Sequence, residues 1–334
     1  MGHETRIGII GGGAWGTALA CAVRRAGCAA TLWARNSDVV EAINKRHEND
    51  AYLAGIALDP EIRATTDLAE AAEADVLLLV APAQNTRGVT RDLAAAGLRP
   101  GTPLVICAKG VETGSGALMS EVITETLPGT PVAVLSGPSF AAEVARDLPT
   151  ALTLAAEDTA LADRLVGLIG SANFRPYRSD DPTGVQIGGA VKNVIAIACG
   201  VAKGRGMGDN TVAALITRGL AEMARLGMAL GARRETLMGL SGLGDLVLTC
   251  SCAQSRNFTL GLAIGRGRAL ADYLNQRNTV AEGVASAGAT VMLAARHGVD
   301  MPIAAAVHAV LHRGADIDHE ISGLLKRPFT PELG

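Results

Sequence analysis

The chain has 334 residues, of which 49% are hydrophobic and 19% are charged, so it is long enough for about two domains with sizeable cores. Its formal net charge of −3 comes from 30 basic and 33 acidic residues without any block of like charge, which excludes the basic surface of a nucleic-acid-binding or membrane-surface protein. The six cysteines form no Cys-x-x-Cys pair and have no metal-ligand spacing with histidine, so we expect reduced thiols, no metal site and a cytoplasmic protein without a signal peptide.

Short apolar runs alternate with helical patterns through the first half of the chain. The predicted strands are 6–10, 30–34, 75–80, 103–107, 132–135 and 151–155. The predicted helices between them lie near 16–26, 37–47, 85–96, 115–126 and 158–170. Such alternation is typical of βαβ units, and it predicts a parallel, doubly wound sheet of the Rossmann type.

Beyond about residue 180 the strand-like runs stop, and Ala-, Leu- and Gly-rich helical patterns follow, for example at 183–202, 210–230 and 283–297. We therefore predict an α/β chain with two domains: a dinucleotide-binding Rossmann domain over 1–185, then an all-α domain for substrate binding and catalysis over 186–334. The stretch around Lys192 is long enough to span a bilayer, but its glycines and polar residues favour a buried helix, so no membrane insertion is expected.

The segment "RIGIIGGGAWGTALA" is a strand, a glycine turn and the start of a helix in immediate succession. Gly11, Gly13 and Gly16 fit the pattern G-x-G-x-x-G, in which the glycines permit a tight turn, a close approach to pyrophosphate and close helix packing. The helix N-terminus adds free N–H groups and a positive dipole. These features predict a dinucleotide site, although a purely structural glycine turn is the alternative.

The second predicted strand ends at "TLWARN", where NAD-specific folds carry an acidic residue for the ribose 2′-hydroxyl. Here Arg35 stands instead, and a cation at this point can accept a 2′-phosphate. We therefore expect NADPH to be favoured over NADH, unless Arg35 is an ordinary surface residue.

Lys192 is the only charged side chain between Asp181 and Lys203, within "GGAVKNVIAIACG". It could be a core lysine whose amine reaches water, or the proton donor of an active site. Four other stretches place polar residues in glycine-rich or apolar surroundings: "CAKGVE" (107–112), "LSGPSFAAEVA" (135–145), "GLGDLVLTC" (242–250) with "QSRN" (254–257), and "VAEG" (280–283). The first two follow predicted strands, at the sheet edge where ligands bind.

Together these motifs resemble the bacterial NAD(P)-dependent glycerol-3-phosphate dehydrogenases over nearly the whole chain, including "GVQIGGAVKNVIAIA" and "LITRGLAEM". The resemblance implies reversible reduction of dihydroxyacetone phosphate to sn-glycerol 3-phosphate, which supplies phospholipid synthesis. It implies NADPH/NADP or NADH/NAD as cofactor and a homodimer, while the charge balance already argues against a nucleic-acid partner. Ala14 departs from the family, which often has a small polar residue there, so a side-chain bond to phosphate is absent at that position.

The resemblance also assigns roles residue by residue. Lys192 is implied as the general acid/base. The residues implied in substrate binding are Lys109, Gly137, Ser139, Lys192, Asp245, Ser255, Arg256 and Asn257, with Arg256 and Asn257 as phosphate ligands. The residues implied in dinucleotide binding are Gly11, Gly13, Ala14, Trp15, Gly16, Arg35, Lys109, Ala141, Arg256, Val280 and Glu282.

Elementary chemistry explains why these residue types suit the reduction of a phosphorylated ketone. Hydride arriving at a carbonyl creates an alkoxide, which needs a proton donor. An apolar wall lowers the pKa of Lys192 and Lys109 lowers it further, whereas Asp245 favours the charged form. Arg256 can grip a phosphate with two N–H groups, and "SRN" is expected to open a helix whose N–H groups assist.

Other interpretations remain open at this point. Lys109 could be a loop cation, Asp245 a helix cap, Arg256 a surface residue, Glu282 a first-turn acid and Trp15 a packing residue. The same architecture would suit a β-hydroxyacid or ketopantoate-type reductase, which needs a carboxylate clamp in place of the phosphate clamp. A dinucleotide-sensing regulator would bind the cofactor without turnover.

Overall fold

The computed structural model describes residues 4–275, 281–329 and 331, which divide into two units. The first unit comprises the residues up to Ala108 together with Met119–Pro182. The second comprises Lys109–Leu118 together with the residues from Thr183 onwards. The segment Lys109–Leu118 thus groups with the second unit, although it lies inside the range predicted for the first domain.

Eight strands form a single sheet in the first unit. They are β1 (Arg6–Ile10), β2 (Ala29–Trp33), β3 (Arg63–Thr65), β4 (Val76–Leu79), β5 (Leu104–Ile106), β6 (Val132–Ser136), β7 (Thr150–Ala155) and β8 (Phe174–Ser179). Their order across the sheet is β3-β2-β1-β4-β5-β6-β7-β8, and neighbouring strands are parallel except for the antiparallel pair β6 and β7. The strand order reverses between β1 and β4, so the carboxyl ends of these strands form a crevice of the kind in which doubly wound sheets bind ligands.

Helices cover the sheet, and both faces of its central strands are therefore buried. The helices of this unit are α1 (Ala14–Arg25), α2 (Ser37–Glu41), α3 (Asp50–Leu53), α4 (Leu68–Ala72), α5 (Thr86–Ala95), α6 (Met119–Thr126), α7 (Ala141–Ala145) and α8 (Thr159–Ile169). All four residues of β4, Val-Leu-Leu-Leu, are buried, as expected for a strand covered on both faces. Asn36, Asp67 and Asp158 begin α2, α4 and α8 by accepting backbone N–H bonds.

The second unit is helical in its described residues, apart from a β-bridge between Val111 and Leu118. Its helices are α9 (Pro182–Gly204), α10 (Gly208–Ala229), α11 (Arg234–Leu237), α12 (Asp245–Ser251), α13 (Arg256–Gly265), α14 (Leu270–Asn275), α15 (Glu282–Arg296), α16 (Pro302–Arg313) and α17 (Ile317–Leu325). Its core is separate from that of the first unit and is built mainly on α9, which is buried along most of its length.

A close contact between α9 and α13 explains a glycine on each of these two helices. A side chain at Gly200 would meet the carbonyl oxygen of Phe258, and one at Gly261 would meet that of Ile197. The backbones of α9 and α13 therefore touch along this line. By length and composition α9 could cross a membrane, but 89% of its most apolar window is buried in the structure, as in a core helix.

The structure confirms the predicted class, an α/β chain with an N-terminal Rossmann-type sheet and an all-α C-terminal part. It adds two strands, β3 and β8, that the apolar pattern does not reveal. β8 lies at the sheet edge and alternates buried with exposed residues, two of them arginines, and it contains Pro176. The helix predicted from 115 begins only at Met119, and the predicted 37–47 helix changes to a π-helical turn over Ala42–Arg46.

Candidate active site

Lys192 and Lys109 share one buried carboxylate in the second unit. The Lys192 Nζ donates to Asp245 Oδ1 at 2.5 Å, and the Lys109 Nζ donates to Asp245 Oδ2 at 2.8 Å. The Lys192 side chain is 7% exposed and that of Asp245 1% exposed, whereas Lys109 is more open at 14%. The helix α9 supplies one lysine, α12 the carboxylate and the segment Lys109–Leu118 the other lysine, so three distant parts of the sequence build this group.

Thr249 completes the surroundings of the Lys192 ammonium. Its hydroxyl accepts from Lys192 Nζ at 3.0 Å and donates to the carbonyl oxygen of Asp245, one helical turn earlier. An ammonium has three donors, and the described residues accept from two of those of Lys192. One donor is therefore left for an oxygen of a ligand.

Burial lowers the pKa of Lys192 from its ordinary 10.5 to about 8. The charge of Asp245 opposes this shift, while that of Lys109 adds to it, and Glu282 weakly favours the charged form. Burial alone would raise the pKa of Asp245, but the two lysines outweigh it and hold that pKa below its usual value. Asp245 therefore stays ionised while Lys192 titrates close to neutral pH.

A chain of carboxamides connects this group to two other elements. Asn193 Nδ2 donates to the carbonyl oxygens of Lys109 and Gly189, at 3.4 and 3.3 Å. Asn257 Nδ2 donates to Asn193 Oδ1 at 2.8 Å, and Asn257 Oδ1 accepts from the backbone N–H of Gly283 at 3.0 Å. These bonds fix the first turns of α13 and α15 relative to α9.

The "SRN" motif opens α13 as predicted. Ser255 is the N-cap, and its hydroxyl accepts from the backbone N–H of Phe258. Arg256 is exposed, and its guanidinium has no hydrogen-bond or ion-pair partner among the described residues. Asn257 is buried, and its carboxamide already has two partners, so Arg256 is the more available anion ligand of the two.

The glycine loop of the first unit has the shape that a pyrophosphate site requires. Gly11 has a φ of +139°, which disfavours any side chain, and a Cβ at Gly16 would collide with the Gly11 carbonyl oxygen. No atom lies within 4 Å of a Cβ built on Gly13, so space is open beside the loop. The loop lies at the carboxyl end of β1 and leads into Ala14, the first residue of α1. These residues fit a dinucleotide.

Two further dinucleotide candidates lie close to this loop in the sequence. Arg35 is exposed, directly beyond the end of β2, and has no hydrogen-bond or ion-pair partner in the described part of the chain. The indole Nε1 of Trp15 is buried without a hydrogen-bond partner there. A free guanidinium and an unpaired indole N–H can both donate hydrogen bonds to a polar ligand.

The "SGPSF" motif follows β6 at the same sheet edge. A Cβ at Gly137 would lie 2.8 Å from Leu152, and the Ser139 hydroxyl donates to the Gly137 carbonyl oxygen at 2.9 Å. Ala141 is the first residue of α7. Of the remaining candidates, Glu282 is the first residue of α15, and Val280 lies outside the described residues.

The described part of the chain offers no metal site, and the cysteine beside Lys192 and Asp245 is unreactive. No group of three or more His, Cys, Asp or Glu residues there could hold a metal ion. Burial raises the pKa of the Cys250 thiol well above its usual value, so this cysteine stays protonated and unreactive.

Sequence reasoning missed Thr249 and Asn193 at this site. Thr249 lies four residues after Asp245 in "GLGDLVLTC", a spacing that puts both on one helix face. Asn193 directly follows Lys192, and only its contacts reveal its part in the site. Of the predicted residues in the second unit, the structure brings Lys109, Lys192, Asp245 and Asn257 into one polar network and leaves Arg256 outside it.

Comparison with known proteins identifies the family. Residues 6–162 match the sequence profile of the NAD-dependent glycerol-3-phosphate dehydrogenase N-terminus, and residues 181–322 match that of its C-terminus. The glycerol-3-phosphate dehydrogenase of the NAD(P)+ type from Rhodospirillum rubrum is 59% identical over 330 residues, which cover 98% of this chain and 94% of that protein. The enzyme of the same name from Parvibaculum lavamentivorans is 55% identical over 98% of both chains.

A solved structure supports the same family as the sequence comparisons. The crystal structure of glycerol-3-phosphate dehydrogenase from Coxiella burnetii superposes with a TM-score of 0.93 at 38% identity, covering 97% of this chain and 99% of that one. This chain therefore belongs to the NAD-dependent glycerol-3-phosphate dehydrogenase family.

Proposed function

We propose that this chain reduces dihydroxyacetone phosphate to sn-glycerol 3-phosphate, reversibly, with Lys192 as the general acid and base. The observation that carries the assignment to Lys192 is a buried ammonium with a pKa of about 8 and one donor left free by the described residues. A proton donor with a pKa close to the working pH is what the carbonyl reduction requires. We propose that the product, sn-glycerol 3-phosphate, supplies phospholipid synthesis.

The proton moves between Lys192 and the substrate oxygen. When bound, a reduced nicotinamide would supply the hydride for the carbonyl carbon. Lys192 Nζ then gives its free proton to the oxygen that becomes the C2 hydroxyl, and in the reverse direction the neutral amine takes that proton back. Asp245 and Thr249 hold the other two donors, so the ammonium cannot rotate away. We assign Lys109 to the substrate beside it and also to the cofactor.

The phosphate of the substrate binds at the start of α13. Arg256 is an unpaired cation there, and Ser255 and Asn257 lie on either side of it in the chain. A helix N-terminus also attracts an anion. Tight binding of this unreactive phosphate would fix the carbonyl for reaction. Gly137 and Ser139 are assigned to the same substrate.

The dinucleotide is assigned to the glycine loop of the first unit. Gly11, Gly13, Ala14, Trp15, Gly16, Arg35 and Ala141 would contact it there, with Lys109, Arg256, Val280 and Glu282 contributing from the rest of the chain. The free guanidinium of Arg35 favours NADPH over NADH. We accordingly assign dinucleotide binding to the domain 1–185 and substrate binding and catalysis to 186–334.

We also propose that the chain forms a homodimer in the cytoplasm, and the surface of the second unit supports the dimer. Of the 22 residues of α10, only six are buried, and Val212, Leu215, Ile216 and Leu220 are only partly covered. A second copy could cover this apolar surface. Light scattering on the purified protein would test the assembly, and a monomer at micromolar concentration would refute it.

One assay tests the function and the role of Lys192 together. Oxidation of NADPH and NADH is followed with dihydroxyacetone phosphate, with unphosphorylated dihydroxyacetone and with 2-ketopantoate. We expect turnover only with the phosphorylated ketone. Lys192→Ala should lower kcat by about 10² to 10⁴ while NADPH still binds.

The alternatives give different results in that assay. Turnover of 2-ketopantoate would indicate the related reductase class. Cofactor binding without turnover of any substrate would indicate a sensor, and near-normal turnover by Lys192→Ala would remove Lys192 from the mechanism.

A further inference from the structure

We infer that Asn49 is a positioning residue for the pyrophosphate of the dinucleotide, because its carboxamide fixes the direction of the peptide groups in the glycine loop. The inference rests on the proposed role of that loop in cofactor binding. Asn49 comes from the chain just before α3, 37 residues after Gly12, and neither the glycine motif nor the family motifs include it.

Two hydrogen bonds join Asn49 to the loop. Its Nδ2 donates to the carbonyl oxygen of Gly12 at 3.1 Å and to the Thr17 hydroxyl at 2.7 Å. The Thr17 hydroxyl donates its own proton to the carbonyl oxygen of Gly13 at 3.0 Å, so it must accept from Asn49. This pattern fixes which end of the carboxamide faces the loop, since an oxygen in place of Nδ2 would meet two acceptors.

The bonds set the direction of the loop's donors. In a trans peptide the C=O and N–H point in opposite directions, so holding the Gly12 oxygen toward Asn49 points the Gly13 N–H away from it. The Thr17 hydroxyl holds the Gly13 oxygen in the same way, so it orients the N–H of the next peptide group, between Gly13 and Ala14. Among the described residues, Asn49 is the donor to the Gly12 oxygen.

The loop needs such a restraint because Gly11, Gly12 and Gly13 are consecutive. Peptide groups between glycines can rotate at little steric cost. A rotated Gly12 peptide would turn a carbonyl oxygen toward the side from which the Gly13 N–H points, and that oxygen would repel a phosphate. Asn49 therefore keeps donors on the side that the phosphate approaches.

The burial of Asn49 argues against a role in stability alone. Asn49 is 1% exposed and Thr17 is 0% exposed, yet the Asn49 Oδ1 has no hydrogen-bond partner in the described part of the chain. Buried polar atoms in folded proteins are nearly always paired, because leaving one unpaired is unfavourable. An asparagine here leaves its acceptor unpaired, while both of its donors serve the loop.

Two variants of Asn49 test the inference. Asn49→Leu removes the carboxamide without adding charge, and Asn49→Asp keeps the shape and removes both donors. We expect each to raise the Kd for NADPH and for ADP by about tenfold or more, the factor that corresponds to about 1.4 kcal/mol. Binding of adenosine, which lacks the pyrophosphate, should not change. At saturating NADPH, kcat and the KM for dihydroxyacetone phosphate should stay within about twofold, since the lost interaction is in cofactor binding.

Asn44→Asp is the matched control. The Asn44 side chain bonds the backbone N–H and carbonyl oxygen of Ala64 in β3 and makes no hydrogen bond to the loop among the described residues. The Asn44→Asp substitution should lower the melting temperature and leave the Kd for ADP unchanged. If the Asn49 variants lose only thermal stability, as this control does, Asn49 is structural and the inference is wrong.

Gly13→Val separates this failure from failure of the site itself. Its side chain enters the open space beside the loop, so the fold should survive and circular dichroism would verify it. If Gly13→Val abolishes NADPH binding and the Asn49 variants bind normally, the loop is the site but Asn49 does not position it. If Gly13→Val binds NADPH normally, the proposed cofactor site is wrong, and the Asn49 inference falls with it.

Discussion

Burial sets the pH range in which Lys192 can exchange a proton, because it lowers the pKa of the Lys192 ammonium by more than the Asp245 carboxylate raises it, and the charge of Lys109 adds to the lowering. With a pKa of about 8, Lys192 is charged below that pH and neutral above it. Reduction of the ketone needs the charged form, so its kcat/KM should fall as the pH rises through about 8. Oxidation of glycerol 3-phosphate needs the neutral form and should accelerate over the same range. Parallel pH profiles of the two directions would measure this.

Removing Asp245 should move these profiles in a known direction. Asp245 raises the pKa of Lys192, so Asp245→Asn should shift the inflection to lower pH and lower kcat as well. Residual activity of Lys192→Ala should show no inflection near pH 8. If Lys192→Ala kept the inflection near pH 8, the group that titrates there would not be Lys192.

Arg35 gives a prediction about cofactor choice. Because it is exposed and unpaired in the described structure, Arg35→Asp should cost little stability, while a carboxylate there repels a 2′-phosphate and can accept from a ribose hydroxyl. We expect the ratio of kcat/KM for NADPH to that for NADH to fall by about tenfold to a hundredfold, as for loss of a charged hydrogen bond. Arg91→Asp, at another exposed arginine, is the control. An unchanged ratio in Arg35→Asp would refute the 2′-phosphate role.

At the scale of elements, contact between the backbones of α9 and α13 places Lys192 relative to Arg256. Gly261 lies against the Ile197 carbonyl, where no side chain fits. Gly261→Ala should force the helices apart, lower the free energy of unfolding by about 1 to 3 kcal/mol and also lower kcat/KM, because the proton donor and the phosphate site separate.

Gly323→Ala is the matched control for this substitution. Gly323 is exposed within α17, and no atom lies within 4 Å of a Cβ built on it. Alanine there should raise stability by about 0.5 to 1 kcal/mol and leave activity unchanged. Denaturant unfolding and steady-state kinetics would measure both variants. Equal behaviour of the two would show that the helix contact does not position the site.

The elements themselves differ in how well the sequence predicts them. Long apolar strands such as β4 and the long helix α9 follow directly from hydrophobic pattern. The edge strand β8 does not, since its charged residues face solvent and its pairing with β7 is a tertiary contact. The grouping of Lys109–Leu118 with the second unit likewise has no local signal, because nothing in its composition separates it from the preceding strand.

At the scale of the whole molecule, chemistry-bearing residues were easier to predict than the residues that support them. Lys192, Lys109 and Asp245 interrupt apolar or glycine-rich sequence, and the structure brings them into one network. Asn49 and Asn193 act through backbone carbonyl groups that are distant in sequence, so their importance appears only with coordinates. Sequence pattern therefore indicates reacting groups better than it indicates positioning groups.

Glu222 provides a prediction for the stability of the second unit as a whole. It is 1% exposed on α10 and accepts the backbone N–H groups of Ile303 and Ala304 at the start of α16. Burial raises its pKa from 4.5 to about 7; the two N–H donors and Arg225 oppose the shift, and Asp300 adds slightly to it.

A carboxyl group whose pKa is higher in the folded state binds a proton that the unfolded chain has lost. The stability that it contributes is complete below pH 4.5 and is lost as the pH rises to about 7, up to about 3 kcal/mol. Glu222→Gln does not titrate, so the melting temperature of the wild type relative to this variant should fall between about pH 4.5 and 7. The expected fall is about 2 to 4 °C for each kcal/mol. Glu235→Gln, at an exposed glutamate of α11, should run parallel to the wild type. A constant difference between the wild type and Glu222→Gln across this range would mean that Glu222 is ionised throughout and caps α16 as a carboxylate.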